Sequence, residues 1–261
     1  MMNNYHTHTK RCHHAVDVAD EEYVLSAISA GFDTLAFTDH IPFITVPYPE
    51  EHQDRMDYRE MDEYLASIAH LKEKYKDQIT VLAGFEFEYY PEYLEYYQLL
   101  KKKTDIMLLG QHNLVPLIKD YGIYNDDDGV ITYATQVKGC LEAKLADIVA
   151  HPDYFMLGRN QWTKACEEAA HMICHASKEH HIPLEINLNG LRHGKRLIDE
   201  KECYAYPYRE FWKIAAMYGC QALYGYDAHD PLTLQEDWRV DRVNEILNGI
   251  KLNIIDEIKI K

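Results

Sequence analysis

TLAFTDH, residues 34–40, is a short apolar run that ends on an aspartate and a histidine. The same plan recurs along the chain. NYHTHT at 4–9, LLGQHN at 108–113, DIVAHP at 147–152 and YGYDAH at 224–229 each bring histidine to the end of a strand-like run, and VLAGFEFEY at 81–89 carries acids in the same place. Between these runs lie longer amphipathic segments. Strands are predicted at 4–9, 34–39, 79–88, 105–111, 147–151, 183–188 and 222–227, with helices at 20–30, 59–75, 92–103, 132–145, 162–181, 207–218 and 234–249. In 59–75 the apolar side chains Met61, Tyr64, Leu65, Ile68 and Leu71 recur at helical spacing. DEEYVLSAISAG, 20–31, opens on acids and closes on Gly31, as a capped helix does. Strict strand–helix alternation predicts an α/β fold with a mostly parallel sheet, and seven such units suit a barrel. The longer segments 41–57, 113–131 and 190–206 read as loops at the edge where active sites of parallel folds lie. The tail LNIIDEIKIK reads equally as a last strand or an amphipathic turn.

The residues at those strand ends carry the chemistry. Seven of the fifteen histidines are involved: His6, His8, His14, His40, His112, His151 and His229; Glu86 and Asp227 join them. Imidazole is a common ligand of zinc and related ions and is costly to bury unpaired. A single tetrahedral site needs about four donors. Nine therefore point to a multinuclear metal centre and to metal-assisted hydrolysis. His6 and His8, two apart on a strand, share a face, as do Asp227 and His229. His14 lies in a loop that can fold back, with His13 as its rival. Glu86, inside an apolar run, is placed to bridge two ions. Glu88 shares its face and reads equally as a solvated acid. Asp39 suits the orientation of a neighbouring ring.

Composition narrows the function further. The 261 residues are 47% hydrophobic and carry a net charge of −16, from 27 basic and 43 acidic residues. That balance disfavours long nucleic acid as a partner, because phosphate-backbone binding needs a basic face. The six cysteines form no CxxC pair, which suits reduced thiols in a cytoplasmic protein. The N-terminus has no apolar signal core, and no run reaches the length of a membrane span. The chain is expected to form one domain, 1–261.

Other motifs read as structural. His171 and His175 are four apart on a helix, but the Glu of HExxH is absent between them. His52, His70, His180, His181 and His193 stand in polar context and need no role. EYYPEYLEYYQ reads as packing, and no Gly-rich phosphate loop or GxSxG occurs. Arg159 and Arg192 follow ligand-bearing or polar strand ends. Either can hold phosphate bidentately, or simply be a solvated loop cation.

Taken in order, HTHTKRCHH (6–14), FTDH (37–40), GFEFEYY (84–90), LGQHN (109–113), AHPDY (150–154), LEINLNGLR (184–192) and YDAHDP (226–231) resemble the PHP (polymerase and histidinol phosphatase) family along nearly the whole chain. The resemblance implies a distorted (β/α)7 barrel holding two or three divalent ions, zinc, iron or manganese. One ion would take His6, His8, Glu86 and Asp227. A second would share Glu86 and add His112 and His151. A third would take His14, His40 and His229, which favours His14 over His13. The activity implied is hydrolysis of a small phosphate monoester, L-histidinol phosphate first. Hydroxide held between the metals would attack phosphorus in line, with Arg159, Arg192 and His40 near the substrate. Asp227 would serve the catalytic centre, and His229 or a water would protonate the leaving oxygen. A nucleotide or phosphodiester substrate is the alternative within the family. A non-catalytic metal-stabilised module, or a single structural ion, is the alternative outside catalysis. Tyr226 stands where relatives carry serine, and Gly110-Gln111 replaces small or apolar residues; both departures bear on pocket shape.

Overall fold

The computed structural model describes residues 2–43 and 54–260. His52 and most of the expected loop 41–57 lie outside the described residues. The strands are β1 (Asn3–Asn4), β2 (Thr34–His40), β3 (Thr80–Phe87), β4 (Ile106–Leu109), β5 (Asn113–Val115), β6 (Ile118–Asp120), β7 (Ile148–Val149), β8 (Leu184–Asn187), β9 (Lys195–Ile198), β10 (Lys201–Tyr204), β11 (Gln221–Gly225) and β12 (Asn253–Ile254). The helices are α1 (Asp20–Ala30), α2 (Met61–Lys74), α3 (Leu94–Lys103), α4 (Asp127–Glu142), α5 (Lys164–His180), α6 (Arg209–Tyr218) and α7 (Trp238–Ile246). Eight strands pair in the order β1-β2-β3-β4-β7-β8-β11-β12, every pair parallel. A parallel bridge between Thr7 and Ala228 joins the chain after β1 to the chain after β11. It is made by His8 N–H to Ala228 O (2.9 Å) and Ala228 N–H to His6 O (3.1 Å). The seven expected strands thus form a curled, distorted barrel, and the tail supplies an eighth strand beside β11.

Side-chain alternation sorts this sheet into two faces. Leu35, Phe37, Val81, Phe85, Phe87, Met107, Leu109 and Ile186 pack outward into the main core against the helices. Ala36, Leu82, Ile106, Leu108, Ile148 and Leu223 point inward and fill the lower interior, where Ile255, Ile258 and Ile260 of the tail close it. Above this floor the inward positions become polar. β1 departs from strict alternation: Tyr5 joins the floor while the adjacent His6 joins the polar layer, so the regular ladder stops at Asn4.

Helix α4 begins five residues before the expected 132. The Asp126 carboxylate accepts from Gly129 N–H, and Asp127 and Asp128 occupy the first turn. Acids there cap the chain and oppose the helix dipole. The expected loops 113–131 and 190–206 contain the hairpins β5–β6 and β9–β10. Asp199 and Glu200, both at positive φ, form the tight turn of the second. α7 is shorter than expected, because Pro231–Gln235 forms a separate 3-10 turn ahead of it. Among the described residues no helix is long and apolar enough to cross a membrane. All six cysteines are free thiols.

Candidate metal centre

All nine candidate donors meet above the barrel floor. Glu86, projecting inward from β3, is the hub. Its Oε1 lies 2.8 Å from His151 Nε2 and 3.6 Å from His112 Nε2. Its Oε2 lies 3.0 Å from His40 Nδ1, 3.4 Å from His6 Nε2 and 3.5 Å from His8 Nε2. Asp227 Oδ1 stands 3.2 Å from His8 Nε2, 3.6 Å from His6 Nε2 and 3.4 Å from His229 Nδ1. On the outer side His14 Nε2 is 2.8 Å from His229 Nε2. His13 sits at φ 62° at the end of the Lys10–Cys12 turn and is in none of the donor sets, whereas His14 meets His229 and His40, so His14 is the ring that reaches the cluster.

The donors fall into overlapping sets: His6, His8 and Glu86; His6, His151 and Asp227; His40, Glu86 and His112; His14, His40 and His229. His6 Nε2 and His8 Nε2 face each other at 3.1 Å. Two lone pairs cannot share that space without a proton or a cation between them. Among the described residues the buried Asp227 Oδ1 finds no hydrogen-bond partner. Nitrogen and carboxylate donors in this arrangement fit borderline divalent cations. His40 belongs to both the set with Glu86 and His112 and the set with His14 and His229, so geometry gives it to either.

Hydrogen bonds hold the rings in place. Asp39 accepts from Thr9 N–H and hydroxyl and from His40 N–H, and its Oδ1 faces His8 Nδ1 at 3.6 Å. His14 Nδ1 donates to Cys12 O, and His229 Nδ1 to Asp227 O. Glu88 is not a solvated acid: it is buried, paired with Arg55, and accepts from the backbone and side chain of Asn113 next to His112. Gly110 is required by Glu86, since a Cβ there would lie 1.9 Å from Glu86 Oε1. Sequence reasoning assigned no role to Glu185, which bonds His6 Nδ1 at 2.8 Å, or to Arg55. An acid inside LEINLN, alternating with Asn187, was the available signal.

The electrostatics divide the site. Burial opposes charge on His6 and His8, but carboxylates outweigh it: Glu185, Asp227 and Glu86 raise His6, and Asp227 and Asp39 push His8 up to about 9. Burial likewise opposes ionisation of Glu86 and Asp227, yet the surrounding rings hold both well below the usual carboxylate range. In the outer pair, desolvation and neighbouring rings bring His14 down to about 4 and His229 well below the ordinary value. His112 is lowered in the same way, by burial and by His151 and His40. The inner rings therefore carry protons when no cation is there, and the outer rings stay neutral.

The cluster opens into a cavity of about 1120 Å³ lined also by Asp54, Asp120, Asp126, Tyr154, Arg192 and Tyr206. Arg192 is exposed on this cavity. Arg159 is not brought to it. Its guanidinium donates to Asn125 O, Asp127 and Thr163 Oγ1, tying the start of α4 to the start of α5. The phosphate contact expected of Arg159 therefore finds no support in this geometry, because three of its N–H donors are engaged by protein and the side chain does not line the cavity. His193 does line the cavity, with Nε2 3.2 Å from the Tyr206 hydroxyl. Tyr226 points away from it and packs edge-on against Phe32, so the serine-to-tyrosine departure leaves the pocket wall untouched. His171 and His175 sit on α5 against Tyr218, remote from the cluster.

The PHP domain profile matches residues 4–189. The chain belongs to the PHP domain family. It is 37% identical over 107 residues to a Schizosaccharomyces pombe protein named "Probable histidinol-phosphatase", a match covering 39% of this chain and 35% of that one. It is 30% identical over 91 residues to the histidinol-phosphatase of Bacillus subtilis, covering 34% of each. These matches span about a third of the curated relatives' length. The fold superimposes with a TM-score of 0.72 on the histidinol phosphate phosphatase of Lactococcus lactis, solved with zinc, L-histidinol and phosphate, covering 99% of this chain and 98% of that one at 16% identity.

Proposed function

We propose that the chain is a metal-dependent phosphatase of small monoesters, with L-histidinol phosphate as its substrate. The observation that carries this reading is the convergence of five imidazoles on the Glu86 carboxylate, at the mouth of an open cavity. His6, His8, Glu86 and Asp227 would hold one ion, Glu86, His112 and His151 a second, and His14, His40 and His229 a third. Bound there, divalent ions supply Lewis acidity toward phosphoryl oxygens and make water a stronger acid. The protein's own residues do the rest. Arg192, on the cavity wall, offers a bidentate fork to phosphate oxygens. The Glu86 and Asp227 carboxylates keep the site anionic enough to retain cations at neutral pH. The outer histidines are held neutral and so can serve as ligands without first losing a proton.

Asp120, Asp126 and Asp128 line the cavity, with Asp54 nearer the cluster rings and Lys119 as a cation among them. Such a wall suits a phosphate ester that also bears an ammonium group, as histidinol phosphate does. It repels the second phosphate of a nucleotide bisphosphate or the backbone of a diester. The names of the relatives point the same way. The test is phosphate release from L-histidinol phosphate beside other monoesters and one diester, with metal content measured on the same sample. Preference for histidinol phosphate by metal-loaded protein supports the reading. Turnover of other esters only would keep the centre and overturn the substrate, and no turnover at full loading would leave a non-catalytic metal module.

A further inference from the structure

Strand β8 supplies none of the nine donors, yet its inward side chains reach donors on three other segments. Glu185 Oε1 lies 2.8 Å from His6 Nδ1. Its Oε2 accepts the backbone N–H of His151 at 3.0 Å and the Asn187 side-chain N–H at 3.0 Å. Asn187 Nδ2 also donates to Asp227 Oδ2 at 3.2 Å, joined there by Asn189 Nδ2 at 3.2 Å. One polar row thus ties His6, His151 and Asp227 together beneath Glu86.

Each contact does a definable job. A carboxylate only accepts, so its bond to His6 Nδ1 places the ring's proton on that nitrogen. The Nε2 lone pair then faces His8, Glu86 and Asp227. His151 has φ 29°, a backbone conformation that side chains with a Cβ rarely adopt. The bond from its N–H to Glu185 is placed to hold that conformation, which turns Nε2 onto Glu86. Glu185 is buried, 1% exposed, so no water competes for its oxygens. Its place is cleared by Gly225 on β11, where a Cβ would lie 1.8 Å from Glu185 Oε1.

We infer that Glu185 is a positioning residue that sets the His6 tautomer and the His151 backbone, and so couples the two donor sets that share Glu86. The inference rests on the metal-centre reading above and does not depend on the substrate. Glu185→Gln is the informative change, because it keeps shape and volume. An amide has one acceptor and two donors in place of two acceptors. Whichever way it turns, an N–H meets either the His6 Nδ1–H or the N–H groups of His151 and Asn187.

The experiment strips full-length protein with a chelator and reloads it with Zn(II) in competition with a chromophoric chelator. Circular dichroism and melting are recorded on the stripped samples. Loss of an orienting partner of a ligand costs about 10–100-fold in metal affinity. Glu185→Gln is expected to lose that much while the stripped protein keeps its wild-type spectrum, and Glu185→Ala is expected to lose no less. Wild-type zinc affinity in Glu185→Gln would overturn the inference. So would a lower melting temperature of the stripped variant with unchanged affinity, which marks a purely structural role. If neither variant folds, Asn187→Ala, which removes the donor shared by Glu185 and Asp227 together with the acceptor of the Gly190 N–H, is expected to weaken zinc binding, and unchanged affinity there overturns the coupling. A wild-type protein that binds zinc but releases no phosphate would defeat the proposed function and leave this inference standing. A wild-type protein that binds no zinc would defeat both.

Discussion

Replacing Gly110 by alanine puts a methyl carbon 1.9 Å from Glu86 Oε1, 2.5 Å from its Cδ and 2.7 Å from its Cγ. Gly110 is not among the positive-φ glycines, so its backbone accepts alanine and the conflict lies wholly with the carboxylate. Ordinary contact begins near 3.4 Å, so Oε1 must retreat by about 1.5 Å. A coordinating carboxylate oxygen sits about 2.0–2.2 Å from zinc, so a retreat of that size takes it out of the coordination shell. It also breaks the 2.8 Å contact with His151 Nε2. Removing a group that merely orients a ligand costs about 10–100-fold in affinity, so displacing the ligand should cost at least about 100-fold, or about 2.7 kcal/mol. The assay is metal content after equilibration with a competing chelator, followed by phosphate release at saturating metal. Gly110→Ala is expected to come through the chelator depleted of the ions that share Glu86 and to lose turnover with them, while its far-ultraviolet spectrum is unchanged. A variant that retains both metal and rate would refute the assignment of Glu86 as the shared ligand.

Other expectations follow from the same geometry. The His8 pKa of about 9 lies above the ordinary 6.5, so its proton stabilises the metal-free fold fully below pH 6.5, and that contribution is lost as pH rises through 9. A divalent ion requires the neutral ring, so zinc binding between pH 7 and 9 should release protons and tighten as pH rises; a titration flat across that window contradicts the assignment. His14→Ala removes one ring of the outer His14–His229 pair and is expected to leave about one ion fewer per chain, with the Glu86 sites filled, by metal analysis. Arg192→Ala should raise KM for the phosphate ester about tenfold or more with little change in melting, whereas Arg159→Ala should leave KM alone and cost roughly 1–3 kcal/mol of stability through its three lost hydrogen bonds. Reversal of that pattern in steady-state kinetics and thermal melts would mean that the cavity wall has been misread. Chelation should abolish turnover, and zinc, iron or manganese added back singly should show which restores it.

The strands and their donors were legible because parallel strands buried on both faces leave two marks at once, an apolar run and a polar residue where the run ends. TLAFTDH and DIVAHP show both marks, and the structure puts His40 and His151 beside Glu86. What escaped was whatever depends on contacts distant in sequence. Glu185 meets His6 across 179 residues, and its one local mark, an acid alternating with Asn187 in an apolar run, does not name its partner. Arg159 and Arg192 looked alike because each follows a polar strand end. Only the fold shows that Asp127 and Thr163 occupy the first while the second faces the cavity. The hairpins β5–β6 and β9–β10 hid for another reason: their strands are largely exposed, so no apolar alternation marks them.

The floor of the barrel explains why so many charged groups can be gathered without collapse. Ala36, Leu82, Ile106, Leu108, Ile148 and Leu223, closed below by Ile255, Ile258 and Ile260, form an apolar layer directly under the polar one. Asp39, Glu86, Glu185 and Asp227 lie above it, and all four are buried. Charges set over such a layer are poorly screened, so each carboxylate must be matched by a nearby cation or proton. Without ions the match is made in part by protons held on the inner rings His6, His8 and His151. With ions the same carboxylates are neutralised by metal, and those imidazoles are freed to act as ligands. Protons and metals therefore compete for one set of buried atoms, and the apolar floor makes leaving those atoms unmatched too costly for the fold to tolerate.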